Sequence, residues 1–175
     1  MPSPPLPPEP IPRRTATDAE ARALASATRL RILRLCLSEA LTNKEIAERL
    51  GRNPATVLHH VRTLVDTGFL AAQPVRRGTR GSREVPYRAT GKSWQMDGAG
   101  AAQPGRDPSL RAFLEEVALV GEDRLDSTRM GLRLPEAELA EFRGRLDALL
   151  DEYATRPIDP TAPRWSLYLG MHPEA

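Results

Sequence analysis

The sequence has few of the residues from which disulfides, metal centres and membrane spans are built. It contains one cysteine, Cys36, and three histidines in 175 residues. A single cysteine excludes an internal disulfide and agrees with a reducing cytoplasm, where we expect the protein. No run of about 18 apolar residues occurs, so no membrane-spanning helix is expected. The proline-rich start also lacks the apolar stretch of a secretory signal.

Motifs of catalysis are missing as well. The chain has no glycine-rich phosphate loop, no G-x-S-x-G, no H-E-x-x-H and no cysteine with a matched histidine. We therefore expect neither enzymatic activity nor a cofactor. The adjacent His59 and His60 would project about 100° apart on a helix, and no Cys or acid cluster at ligand spacing accompanies them. The pattern therefore does not predict a metal site.

Net charge is low, at a formal +2, but its distribution is uneven. Residues 28–92 carry thirteen Lys/Arg and five Asp/Glu, a net charge of +8. Residues 93–175 carry nine Lys/Arg and fifteen Asp/Glu, a net charge of −6. This asymmetry is expected when one part of a chain meets a polyanion and the other part meets protein.

The basic segment contains a pattern typical of two short helices joined by a tight turn. Thr42 and Glu45 have the spacing of a capping box, in which each side chain satisfies a free backbone N–H at the start of a helix. Gly51 suits the left-handed end of that helix. Asn53 can cap the next helix, and Pro54 fits its first turn. Together these signals predict a helix-turn-helix.

Two short extended runs, FLAAQPV and REVPYRAT, follow and flank the basic stretch RRGTRGS. This order predicts a β-hairpin with a long basic tip. A helix-turn-helix followed by such a hairpin is a winged helix. The predicted fold class is therefore mainly α with a β-hairpin wing (winged helix-turn-helix), plus a small C-terminal α+β dimerisation unit.

The chain divides into four parts on composition. We expect a disordered proline-rich tail over residues 1–16, the winged helix over 17–92, a linker over 93–108 and the C-terminal unit over 109–175. The last part has two helices with apolar stripes, and two alternating runs, RMGLRLP and RWSLYLGMH, that predict neighbouring strands. Its apolar surface exceeds what it can bury alone, so we expect a homodimer.

The second helix of the motif predicts a DNA-reading face. Val57, Val61 and Leu64 share one side and would anchor the helix, while small, hydroxyl, imidazole and guanidinium side chains share the other. Such side chains suit the major groove of double-stranded DNA, and arginines at a hairpin tip suit phosphates or the minor groove. The candidate DNA-binding residues are Arg52, Asn53, Thr56, His59, His60, Arg62, Thr63, Arg76, Arg77, Arg80 and Arg83.

Other interpretations stay open. The helix face and the wing are also typical of ordinary solvated surface, and His60 at the flank could contact phosphate or a neighbouring helix. A winged helix can instead be a protein–protein interaction module, which here would bind an acidic partner. The aromatic residues of the C-terminal unit could line a pocket for a small-molecule effector, or form core or dimer interface; they are Phe142, Tyr153, Trp165 and Tyr168.

The stretch ASATRLRILRLCLSEALTNKEIAERLGRNPATVLHHVRTLVDTGFL resembles the ArsR-type winged helix-turn-helix regulators. The resemblance covers about residues 20 to 92. It implies a dimeric DNA-binding regulator, a repressor, whose second helix, Pro54 to Thr67, enters the major groove while the wing flanks it. Metal-sensing members carry paired cysteines on a helix. This chain has only Cys36, so metal sensing is not carried over, and residues 105–175 form an added unit.

Overall fold

The computed structural model describes residues 12–78, 81–97, 107–159 and 161–173. The helices of this part of the chain are α1 (Asp18–Leu24), α2 (Ala27–Ser38), α3 (Asn43–Leu50), α4 (Pro54–Asp66), α5 (Pro108–Val120) and α6 (Glu136–Thr155). Its strands are β1 (Arg14–Thr15), β2 (Leu41–Thr42), β3 (Leu70–Ala72), β4 (Arg76–Arg77), β5 (Arg83–Glu84), β6 (Pro86–Ala89) and β7 (Met96–Asp97). Short 3-10 helices span Lys92–Gln95 and Glu122–Arg124.

The core lies between α1 to α4 and a small sheet. Its side chains are apolar and almost fully buried, and Cys36 is among them as a free thiol. Burying these side chains supplies the main driving force for folding of this half of the molecule. The largest of them are Leu24, Ile32, Leu41, Ile46, Val57, Val61, Leu64 and Phe69.

The helix boundaries confirm the capping pattern read from the sequence. Thr42 and Glu45 form a capping box at the start of α3, and the Asn53 side chain accepts a hydrogen bond from the Ala55 N–H at the start of α4. Gly51 closes α3 with φ = 62°, a backbone angle that side-chain-bearing residues rarely adopt. The turn between the two helices is therefore fixed by local signals at both ends.

The base of the wing is a three-stranded antiparallel sheet with the strand order β2–β6–β3. Strands β4 and β5 pair beyond it as the outer part of the hairpin. Strand β2 was not predicted: Leu41 and Thr42 pair with Tyr87 and Pro86 of β6, so Thr42 serves both a strand and the cap of α3. The mainly helical fold with a hairpin wing is confirmed.

The N-terminal end of the described chain is tied to the segment after the wing. Arg14 and Thr15 pair in parallel with Met96 and Asp97. We call this pairing of β1 with β7 the N-terminal clasp. The clasp lies partly within residues 1–16, for which the sequence predicted a disordered tail; residues 1–11 lie outside the described part of the chain.

Helix α5 packs on α2 and is linked to it by ion pairs. Arg34 Nη1 donates to Glu116 Oε2 at 2.8 Å, and Arg31 lies 3.8 Å from Glu115. The helix ends at Val120 because Gly121 follows with φ = 91°.

Helix α6 is held to the winged helix through Asp151, which is 5% exposed. Trp94 Nε1 donates to Asp151 Oδ1 at 3.0 Å, and Arg13 Nη2 donates to the same oxygen at 3.2 Å. Arg13 also lies over the Trp94 ring, 5.5 Å from its centroid. Trp94 thus joins the segment after the wing to α6.

The prediction of two paired strands in the C-terminal part is wrong. Residues 129–134 and 165–171 run without strand pairing in the described structure. Alternating apolar residues indicate an extended chain with two different faces, but they do not supply a neighbouring strand. No helix of the described residues is both long and apolar enough to cross a membrane.

Candidate nucleic-acid interface

Helix α4 is fixed in the molecule by its inner face. Val57, Val61 and Leu64 are fully buried in the core. Asn43 Nδ2 of α3 donates to the Pro54 carbonyl at 2.9 Å, which ties the start of α3 to the start of α4. A helix held at its beginning and along one side can present its other side in a constant position.

The outer face of α4 carries the side chains that the sequence placed there. Thr56, His59 and Arg62 are exposed, and Thr63 is half-buried. The Thr63 hydroxyl donates to the His59 carbonyl at 3.1 Å, so its oxygen can still accept a hydrogen bond from another partner. With the small exposed Ala55 beside them, these residues form a surface that a DNA groove can approach closely.

The turn before α4 adds a positive end to this surface. Arg52 and Asn53 are exposed. The Asn53 side-chain oxygen is used by the cap, with the Ala55 N–H at 2.8 Å, so its amide group remains as a donor. The free N–H groups of a helix start also favour phosphate, and Arg52 stands beside them.

His60 lies at the flank of α4 and is half-buried. Its Nδ1 is buried without a hydrogen-bond partner among the described residues. Burial lowers the pKa of His60, and the charges of Arg29, His59 and Arg52 lower it further. A lowered pKa favours the neutral form of the ring at pH 7. No cluster of three or more metal-ligating side chains occurs among the described residues.

The wing arginines fall into two groups that the sequence could not separate. Arg77 of β4 lies directly opposite Arg83 of β5, and both are exposed. Like charges placed opposite each other on paired strands are unfavourable unless an anion lies nearby. Neither forms an ion pair with another described residue. This pair of cations is therefore available for phosphate, whereas Arg80 lies outside the described residues.

Arg76, by contrast, is already paired. Its Nη2 donates to Glu45 Oε1 of α3 at 2.5 Å, and its Nε lies 3.5 Å from Glu84 Oε2. Burial alone would raise the pKa of Glu45, but hydrogen bonds from Thr42 and Arg76 hold it below its ordinary value. One carboxylate thus caps α3 with Oε2 and holds the wing with Oε1. Arg76 fixes the wing relative to the helix-turn-helix.

The structure also reveals a site that the sequence did not indicate, at the far end of α4. Lys92 Nζ donates to the Thr67 carbonyl at 2.7 Å and pairs with the buried Glu20 at 2.6 Å. Arg14 binds the same Glu20 carboxylate through two hydrogen bonds, at 2.9 and 2.6 Å. The Arg14 and Lys92 contacts hold the pKa of Glu20 far below its usual value. A cation at the end of α4 also suits the negative end of its dipole.

The exposed face of α4, the positive turn before it and the unpaired cations of the wing belong to one stretch of chain. The family model described as a helix-turn-helix domain matches residues 24–77. Over this stretch, which is less than half of the chain, the protein resembles helix-turn-helix domains. The match confirms the helix-turn-helix part of the resemblance, and strands β3 to β6, which come after α4, give it the winged form.

Three solved structures are similar to this chain in part. The homodimeric winged helix-turn-helix DNA-binding domain of Mycobacterium bovis Mb0332, a possible ArsR-family transcriptional regulator, is 24% identical, with 65% of this chain and 85% of that chain covered and a TM-score of 0.37. Lactococcus lactis ZitR, a double mutant in apo form, is 22% identical, with 76% and 86% covered and a TM-score of 0.33. A MepR mutant from a multidrug-resistant S. aureus isolate is 16% identical, with 78% and 79% covered and a TM-score of 0.29. Among curated proteins no match was found.

Proposed function

We propose that the protein is a sequence-specific transcriptional repressor that binds double-stranded DNA as a homodimer. Residues 17–92 would read DNA, and residues 109–175 would join two copies. The observation that carries the proposal is the outer face of α4, where Thr56, His59 and Arg62 are exposed on a helix anchored by its inner side. Its proposed place of action is the cytoplasm, with the DNA.

In this proposal α4 enters the major groove and the wing lies along the backbone or minor groove. Thr56, His59, Arg62 and Thr63 would contact base edges. Arg52, the Asn53 amide and the Arg77–Arg83 pair would hold phosphates. The two recognition helices of a dimer would then read half-sites about one helical turn, or roughly 34 Å, apart. The neutral His60 supports a role in seating α4 more than one in direct contact.

Metal ions play no part in the proposed mechanism. The buried Cys36 is the only cysteine in the chain, and its thiol lies inside the core. A small-molecule effector would find exposed apolar surface in the C-terminal part.

The decisive experiment measures DNA affinity by fluorescence anisotropy on the DNA upstream of the protein's own gene and on shuffled DNA of equal composition. We expect tighter binding to the upstream DNA. His59→Ala should reduce that preference by about tenfold, corresponding to roughly 1–3 kcal/mol for a base contact, without abolishing binding. Equal, weak and strongly salt-dependent binding to both DNAs would overturn the proposal and favour a module that binds an acidic protein.

A further inference from the structure

The C-terminal residues 164–171 lie extended along α5 and α2, with alternate residues turned to opposite sides. Ser166 donates to Glu116 Oε2 of α5 at 2.9 Å. Tyr168 donates to Asp107 Oδ2 at 2.9 Å, and its ring stacks on Phe113 with centroids 5.6 Å apart. The even-numbered side chains therefore attach this segment to its own subunit.

The odd-numbered side chains of the same segment are apolar and face solvent. Trp165 is 86% exposed, Leu167 63%, Leu169 53% and Met171 48%. We call these four side chains the apolar row. Their spacing places them on one side of an extended chain. The alternation in the sequence therefore marks a surface that its own subunit leaves uncovered.

The apolar row continues into neighbouring apolar surface. Trp165 and Leu167 line an open recess of about 840 Å³ together with Leu37 of α2, Val120 of α5 and Ile158. Leu37, Val120 and Ile158 are themselves 45%, 52% and 56% exposed. Charged side chains, among them Arg34, Glu116 and Arg164, also line this recess, so the apolar row extends into a recess of mixed character on the α2–α5 side.

The amount of exposed apolar surface matches what a stable dimer buries. Fifteen of the nineteen large apolar side chains that are exposed among the described residues belong to residues 107–173. A stable protein interface buries about 800 Å² per partner, and a single large aromatic side chain such as Trp165 offers roughly 150–250 Å². Monomeric proteins rarely leave apolar patches larger than a few hundred Å² in contact with water.

We propose that the apolar row is the contact surface between two copies of this chain, packed face to face about a two-fold axis. A row of purely apolar side chains is complementary to itself, which an interface with two-fold symmetry requires. This inference rests on the homodimer of the proposed function and names the surface that forms it. The row lies on α5 and α2, so packing against a second copy leaves α4 and the wing free for DNA.

The first test compares the oligomeric state of three proteins by sedimentation equilibrium. The intact chain is expected to dimerise. L167S combined with L169S should raise the dimer dissociation constant at least tenfold, because two buried leucines are lost from the contact. M130S, which changes an exposed apolar side chain outside the row, should leave it within about twofold. Because the row is exposed, neither change is expected to alter the circular dichroism of the subunit.

The second test uses single cysteines as probes of proximity across the two-fold axis. Cys36 is fully buried, and burial raises the pKa of its thiol to about 12, so the intact chain should not cross-link under mild oxidation. Cysteines placed at 167 or 169 should form inter-subunit disulfides, while one at 166 should not. Both tests use the full chain.

Each outcome decides the proposal. Loss of the dimer in L167S/L169S together with cross-linking at 167 or 169 supports it. A dimer that persists in L167S/L169S, without cross-links at these positions, overturns it while leaving the DNA-binding homodimer standing. An intact chain that stays monomeric overturns both the row contact and the homodimer. DNA preference, measured separately on half-site DNA, then tests the reading face alone.

Discussion

Arg76 and Arg77 are neighbours in the chain, but they stand in different electrostatic surroundings. Arg76 is held by Glu45 at 2.5 Å, whereas Arg77 faces another arginine across the hairpin. A neutralised cation contributes little to phosphate binding, because its charge is already compensated. An uncompensated pair gains from an anion both by attraction and by relief of repulsion. Adjacent residues of the same type therefore have different proposed roles.

This difference predicts how salt affects the variants. R77A and R83A should each lower the slope of log affinity against log salt by about 0.9, the value for one lost phosphate contact. R76A should leave the slope unchanged and weaken binding only through a looser wing. The measurement is DNA affinity across a salt series, with circular dichroism as the control for folding. An equal change of slope in all three variants would contradict the separation of Arg76 from the other two.

Glu20 predicts a specific response to acid. Its pKa in the folded protein lies below the ordinary value of about 4.5, chiefly because Arg14 and then Lys92 bind the carboxylate. As pH falls, the unfolded chain takes up the proton first, so the stabilisation is complete above about pH 4.5 and is lost as pH falls toward the folded pKa.

The matching experiment measures urea unfolding of the intact chain and of E20Q at pH 7 and pH 3.5. At pH 7 the intact chain should have a larger free energy of unfolding than E20Q. The difference in free energy of unfolding between the two proteins should become smaller at pH 3.5. E45Q serves as a comparison with a carboxylate that also caps a helix. A gap that stays constant over this range would show that the Glu20 charge is not what stabilises the clasp region.

At the scale of elements, the helices and turns that depend on neighbouring residues could be predicted from the sequence. The caps at Thr42 and Asn53 and the stop at Gly51 act within three or four residues, so the helix-turn-helix was predictable with its boundaries. Strand β2 was not, because two residues become a strand only through pairing with β6, far along the chain. The hydrogen bond from Arg76 to Glu45 could not be predicted either, because it forms only where the wing folds back onto α3.

Helix α6 offers a test of how an element is attached. D151A should leave Trp94 Nε1 and the Arg13 guanidinium without their shared acceptor, at a cost of about 1.5–3 kcal/mol for a hydrogen bond to a charged group. D147A should cost at most about 0.5 kcal/mol, because Asp147 is exposed and lies 3.9 Å from Arg13. Hydrogen–deuterium exchange of the α6 amides is measured in both variants. Exchange is expected to become faster in D151A and to stay unchanged in D147A. Equal exchange in the two variants would mean that α6 is held elsewhere.

At the scale of the whole molecule, the two halves differ in how completely they bury their apolar surface. The winged helix encloses a core of buried apolar side chains between Ala23 and Met96. The part from α5 onward leaves most of its apolar side chains exposed. The sequence indicated this excess correctly from its apolar stripes, but it could not indicate which side chains face outward. That depends on contacts such as those of Ser166 and Tyr168 with α5.

The proposed metal-free mechanism concerns the whole molecule and predicts the result of chelation. Treatment with EDTA, or addition of a slight excess of zinc, should change DNA affinity by less than about twofold, because the proposed contacts and the dimer involve no metal ligand. Anisotropy at fixed salt is the measurement, with ionic strength matched in a magnesium-free control. A tenfold change after chelation, restored by one metal ion, would contradict the proposed metal-free mechanism.

The bonds of Lys92 have a consequence for the energetics of the complete molecule. Through Thr67 and Glu20, one ammonium group joins the end of α4 to α1. If DNA holds α4 in a position that this junction favours, it also restricts α1. Suppose that a ligand binds α1 more tightly when DNA is bound. Thermodynamic reciprocity then requires that this ligand raises DNA affinity by the same factor by which DNA raises the affinity of the ligand. The contacts of Lys92 with Thr67 and Glu20 would therefore carry any coupling free energy between α1 and the DNA-reading helix α4.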